Sequence, residues 1–190
     1  ANPGCFAIVS ELALLPLKDF IQHASLFAIT GSSGSGKIPK DETHHAIRNH
    51  NVASYKIGVH QHIPEIIETL NLSESQITFI PTSGPFTRGI HLTAFVDLYK
   101  NLSETEVMSL YEKIYAKTPF VRIKKNVQLS EVIGSNFCDI ALYSIHGKLI
   151  VQAVIDNMVK GAAGTAIHNM NIMSGFDETT GLTTMSPIFP

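Results

Sequence analysis

Cys5 follows the turn sequence Asn2-Pro3-Gly4 and opens an apolar run, Phe6 to Leu17, with helical spacing. A thiol in the first turn of a helix meets the positive end of the peptide dipoles, which favours the nucleophilic thiolate. The segment "HQHIPE" places His60 and His62 two residues apart, so on an extended chain both rings face one side. Near a cysteine, such a ring serves as a general base for acyl transfer. The same histidines, joined by His44 and His45, could instead hold zinc, or could be plain surface residues. No third ligand has characteristic spacing and neither cysteine sits beside another ligand, so no metal is expected.

"GSSGSGK", Gly31 to Lys37, has the spacing of a P-loop, but Ile38 stands where a Mg²⁺-binding hydroxyl belongs and Pro39 removes a backbone N–H. What remains is general: glycines that let backbone N–H groups approach an anion, with Ser33, Ser35 and Lys37 as added donors. Arg88, after Pro85 and just ahead of a strand pattern, can form a bidentate pair with a carboxylate. Gly161 and Gly164 share one helical pattern, at a cost of about 1 kcal/mol each relative to alanine. Their use is close approach of another backbone or a cofactor. Cys138 falls inside a strand pattern and reads as core.

These side chains need a scaffold. The first apolar run predicts a helix from Phe6 to about Ala24, kinked or divided by Pro16. Strands are predicted over 25–30, 52–59, 76–82, 89–99, 120–124, 138–145 and 148–155, with His146-Gly147 as the hairpin turn between the last two. Further helices are predicted over 64–72, with Pro64 in the first turn, and over 103–118, where Ser103 and Glu106 form a capping box. A last helix spans 156–175, opened by Asp156 and closed near Gly175. The polar stretch 31–51 is a loop long enough to be functional, and 176–190 is a tail. The sum is an α+β fold with a mixed, largely antiparallel sheet packed with helices.

The chain has 190 residues, 44% of them hydrophobic, which suits one compact domain with a possible appendage. Only 16% are charged, which is low for an isolated domain and implies surface buried against a partner. A net charge of -2 gives no reason to expect nucleic acid. No apolar run reaches the length of about 18 residues that a membrane span needs, and no basic or secretory leader is visible. Cys5 and Cys138 are too few for a disulfide scaffold, so a reducing cytoplasm is expected.

Taken together, "NPGCFA", "GSSGSGK", "HQHIPEI", "TRGI", "NFCDI" and "DNMVKGAAGTAIHNMNIMSGFDETTGL" closely resemble the N-acetyl-gamma-glutamyl-phosphate reductase family, in order and spacing across nearly the whole chain. The first and last of these segments are the specific ones. The resemblance implies a relative of aspartate-semialdehyde and glyceraldehyde-3-phosphate dehydrogenases, with a fold like their C-terminal domain. It implies a cysteine that attacks an acyl phosphate and a thioester reduced with NADPH, in arginine biosynthesis.

By the same resemblance Cys5 is the nucleophile, His62 the acid/base and His60 its neighbour. Arg88 holds the substrate carboxylate, and Ser33 and Lys37 also bind substrate. Gly34, Gly36 and Asn157 meet the cofactor, Asn157 at the nicotinamide amide. Lys37 stands where many relatives carry arginine, and Gln61 replaces an arginine often found between the two histidines. The family's Rossmann domain precedes the cysteine motif, and this chain has no G-x-G-x-x-G unit. The expectation is therefore a fragment: a catalytic and dimerisation domain over 1–155, and a C-terminal helix and tail over 156–190 that pack on the missing NADP-binding domain. It should form a homo-oligomer and be inactive alone. The alternative is a dimerisation module with no catalytic role.

Overall fold

The computed structural model describes residues 2–183. Helix α1 runs Cys5–Leu14 and starts directly after Gly4. It is shorter than the apolar run predicts. A 3₁₀ turn over Leu15–Leu17 takes in Pro16, which has no N–H to continue the helix, and strand β1 already begins at Ile21 (Ile21–Thr30). The polar stretch that follows carries a 3₁₀ turn at Ser32–Ser35 and the one-turn helix α2, His45–Arg48. The strand predicted over 52–59 shrinks to β2, Ala53–Ser54. Lys56 and Gly58 adopt φ of 46° and 72°, left-handed values that end the extended chain. The histidine pair therefore lies in a turn leading into helix α3, Ile63–Leu70, and not on a strand.

Strand β3 (Ile77–Ser83), strand β4 (Ile90–Leu98) and helix α4 (Glu104–Tyr115) follow, the last with the predicted Ser103–Glu106 capping box. Strands β5 (Val121–Lys124), β6 (Cys138–Ile145) and β7 (Lys148–Ile155) complete the sheet. The β6–β7 turn is His146-Gly147, both at positive φ (51° and 76°), as a tight primed hairpin requires. The last predicted helix is divided: a π-helical turn over Val159–Ala163, then α5, Gly164–Met173. Gly175, at φ 71°, follows its end. The tail beyond residue 183 lies outside the described residues.

The strands form one seven-stranded sheet in the order β2-β3-β1-β4-β7-β6-β5. β1 pairs parallel with β3, and β5 parallel with β6; the other neighbours are antiparallel. The fold is thus α+β with a mixed, largely antiparallel sheet. α1 lies across β4 and β7 and beside α3. Phe6, Val9, Ala13 and Leu14 bury there against Leu26, Leu92, Ile140 and Val151. Tyr111 and Tyr115 of α4 donate their hydroxyls to Ala13 O and Leu12 O at 2.6 Å, which satisfies carbonyls that the end of α1 leaves open. The opposite face of the sheet carries Phe27 and Phe95, 37% and 52% exposed.

Candidate active site at the start of the first helix

Cys5 is the first residue of α1, so its position is set by the turn before the helix and by whatever packs on that turn. The Gly4 N–H donates to Glu65 Oε2 at 2.7 Å, tying the turn to the first turn of α3. A side chain at position 4 would overlap the His62 imidazole, whose Nε2 occupies the space of the missing Cβ. A Cβ on Gly161, in the π-helical turn, would stand 2.7 Å from Cys5 Cβ. Both glycines are therefore steric necessities of one place: Gly4 makes room for the His62 imidazole beside the start of α1, and Gly161 lets the π-turn approach Cys5. Gly164 meets the side chain of Asn136 instead, so the two glycines of that segment serve different neighbours.

The thiol is half-buried, and burial pushes its pKa up. The backbone N–H groups of Phe6 and of Cys5 itself pull the other way and lose. The thiolate expected from the helix start is thus not the resting form in this chain. Burial also pushes the His62 pKa down, ahead of the opposing pull of Glu65. Cys5 and His62 consequently rest as neutral thiol and neutral imidazole. His62 Nδ1 is buried with no hydrogen-bond partner among the described residues.

His60 differs from its neighbour. It is 4% exposed, edge-on to Phe6, Tyr55 and Phe79 at 5.5–5.8 Å, and burial pushes its pKa down to about 4. Its Nδ1 accepts the His62 backbone N–H at 3.2 Å, so it holds His62 in place.

A second cluster adjoins the π-turn. Asp156 is fully buried: Oδ1 accepts the N–H groups of Met158 and Val159, and Oδ2 accepts Gly134 N–H at 2.6 Å and pairs with Arg88 Nη2 at 2.9 Å. Asn157, 2% exposed, accepts Gly89 N–H at 2.6 Å and donates to Ser33 Oγ at 3.0 Å. A Cβ on Gly34 would stand 3.5 Å from Asn157 Nδ2, whereas one on Gly36, at φ 77°, would meet only free space. Ser33, Gly34, Arg88 and Asn157 are therefore brought together, with the carboxamide of Asn157 bonded to the protein at both ends. Lys37 is exposed on the outer part of the loop.

A cleft of about 420 Å³ opens over Cys5 and His62. It is lined also by Gly34, Ser35, Tyr55 and His60, but not by Arg88. Sequence reasoning missed several of its residues. Arg48, Lys40 and Lys56 reach it, and Tyr55, pushed up to about 12 by burial, remains a neutral phenol. The only sequence signal for Arg48 was the unusual length of the polar loop that carries it. A larger depression of about 990 Å³, among Val96, Met108 and Leu149, contains neither the thiol nor the histidines. Among the described residues no group of three His, Cys, Asp or Glu side chains is placed to hold a metal ion, and no helix is long and apolar enough to cross a membrane.

Residues 5–157 match the semialdehyde dehydrogenase dimerisation domain. In sequence the chain is similar to proteins named N-acetyl-gamma-glutamyl-phosphate reductase. That of Methanocaldococcus jannaschii is 45% identical over 96% of this chain and 56% of its own length. That of Streptococcus mutans is 44% identical over 95% and 56%. The chain thus spans little more than half the length of these relatives. Its fold matches that of aspartate semialdehyde dehydrogenase II of Vibrio cholerae in complex with ASA, with a TM-score of 0.74 at 17% identity, over 92% of this chain and 62% of that one. The Francisella tularensis aspartate semialdehyde dehydrogenase gives 0.69 at 15%, over 90% and 64%.

Proposed function

Because the chain belongs to the semialdehyde dehydrogenase family, through the dimerisation domain at residues 5–157, we propose that it is the catalytic part of an NADPH-dependent reductase. Its substrate is N-acetyl-glutamyl phosphate, the compound in the names of its relatives, and its product N-acetyl-glutamate semialdehyde, in arginine biosynthesis. One observation carries the reading: Cys5 at a helix start and His62 against Gly4 line one cleft.

Cys5 Sγ attacks the acyl carbon. As the C–S bond forms, neutral His62 takes the thiol proton, and the C–O bond to phosphate breaks. The nicotinamide cofactor, when bound, supplies the hydride that reduces the thioester. His62 then gives its proton to the oxygen that gains charge, and takes it back as the C–S bond breaks and releases the aldehyde. The cysteine leaves as thiolate and recovers that proton from the imidazolium. His60 holds the His62 backbone throughout. The residues of this chain fit the nicotinamide end of such a cofactor: Ser33 and Gly34 adjoin Asn157, and Gly36 leaves bare backbone beside open space. Asn157 acts there chiefly by fixing the two loops it joins, with any contact to the nicotinamide made alongside those bonds.

The dinucleotide body needs a Rossmann unit. Such a unit would also cover the exposed apolar side chains of α5 and the turn before it, Met158, Ile167 and Met170. The test is mass spectrometry of this chain mixed with N-acetyl-glutamyl phosphate. A single acyl adduct on Cys5, absent from Cys5→Ser, is the expected result. No adduct on folded protein leaves the alternative, a dimerisation module without catalytic chemistry. NADPH oxidation is expected only when the chain is joined to an upstream Rossmann domain.

A further inference from the structure

Arginines in this chain find carboxylates, with one exception. Arg88 pairs with Asp156 and Arg122 with Asp139, both acids fully buried. Among the described residues Arg48 has no such partner. Its Nη1 donates to Ser35 Oγ and its Nη2 to Thr30 O, both at 3.3 Å and both neutral acceptors. Its Nε–H is buried and meets no acceptor. Arg48 is only partly buried, so its guanidinium is reachable from the cleft, and without a carboxylate partner its charge is left for an anionic ligand. Its two anchors hold the planar group in one orientation while leaving further N–H donors for the pairwise grip that carboxylates and phosphates take.

The surroundings agree. Arg48 lines the cleft over Cys5 and His62, as do Lys40 and Lys56, and among the described residues Glu42 is the one carboxylate in that lining. A cleft of about 420 Å³ falls in the range of small-molecule sites. Arg88 lies outside this lining, and its charge is already met by Asp156, so a substrate carboxylate would have to displace a buried ion pair to reach it.

We propose that Arg48, held by Ser35 and Thr30, receives an oxyanion of the substrate in the Cys5 cleft, a role the sequence had given to Arg88. This rests on the acyl-phosphate reading, whose substrate carries both a carboxylate and a phosphoryl group. The test uses the Cys5→Ser chain, so that no thiol chemistry enters. Inorganic phosphate and glutarate are titrated by isothermal calorimetry against this chain and against the same chain with Arg48→Gln or Arg48→Lys, each confirmed folded by circular dichroism.

Saturable binding should weaken about tenfold or more in Arg48→Gln, as loss of a charged hydrogen bond implies, and recover in part in Arg48→Lys. Tighter phosphate binding assigns the place to the phosphoryl group, and tighter glutarate binding to the carboxylate. Equal binding by Arg48→Gln, or no binding of either anion by the Cys5→Ser chain, overturns the proposal. Acylation of Cys5 is read separately: anion binding lost only with Arg48, in a chain whose Cys5 never acylates, would sink the enzymatic reading and leave the anion site standing.

Discussion

Cys5 and His62 have pKa values moved in opposite senses by the same cause, removal from water: the thiol rises and the imidazole falls. Neutral at rest, the two side chains carry no ion pair, and on the proposed mechanism the proton would move only as bonding at sulfur changes. Alkylation of Cys5 by iodoacetamide, followed by mass spectrometry across pH, should therefore show a midpoint above the value of about 8.5 for a free thiol. A midpoint below it would mean that the helix start outweighs burial. Cys138, fully buried and pushed up to about 12, should stay unlabelled until the chain unfolds. His62→Asn should slow acylation of Cys5 by about 10²–10⁴-fold, the usual contribution of a general base. Gly4→Ala should come close to this without touching either reacting group, because the new methyl would displace the imidazole. Wild-type acylation by Gly4→Ala would show that His62 need not sit there.

At the scale of elements, α1 carries a polar residue into poor surroundings. Glu11 has a buried Oε1 without a partner, and burial raises its carboxyl to about 6 from an ordinary value of 4.5. Its charge is thus a cost above pH 6, relieved as protonation proceeds between 6 and 4.5. His60 has the opposite sign. Its folded pKa of about 4 lies below the ordinary 6.5, so its contribution is complete above pH 6.5 and is lost as pH falls toward 4. The two trends oppose each other through the acidic range. Glu11→Gln should raise stability at pH 7.5 by about 1 kcal/mol, after allowance for the exposed part of the side chain. The same variant should fall more steeply than wild type between pH 6.5 and 4.5, since the relief from Glu11 is gone. Urea denaturation at several pH values checks both, and parallel curves would count against the assignment.

For the whole molecule, the decisive feature is the uncovered sheet face. Phe95 on β4 lies between Ser25 of β1 and Ile150 of β7, and Phe27 lies across from Thr93, so aromatic and aliphatic groups share that face. Residues 5–157 match a dimerisation domain, and an exposed apolar sheet face is the expected place for two copies to pack sheet to sheet. Phe95→Asp would then place charge in the centre of the contact. Analytical ultracentrifugation at high micromolar concentration should show a dimer for the wild-type chain and a monomer for Phe95→Asp. A wild-type chain that stays monomeric, or an unchanged dimer in the variant, would place the contact elsewhere.

Most elements were legible in the sequence because their signals are local. The Ser103–Glu106 capping box, the His146-Gly147 turn and the apolar strands on either side of it are read from neighbours a few residues apart. The strand expected over 52–59 failed where Lys56 and Gly58 turn left-handed, a choice that an apolar pattern does not record. Residue types at the site were legible too: cysteine after a turn, paired histidines, a glycine-rich loop. Their chemistry was not. Whether Cys5 rests as thiol or thiolate depends on how much protein covers it, and only the packed fold sets that burial. Arg88 and Arg48 look alike in sequence, yet Asp156 lies against the first, while the second faces the cleft with neutral anchors. Charge state and charge pairing follow from desolvation and from contacts between distant segments, so they are properties of the tertiary structure.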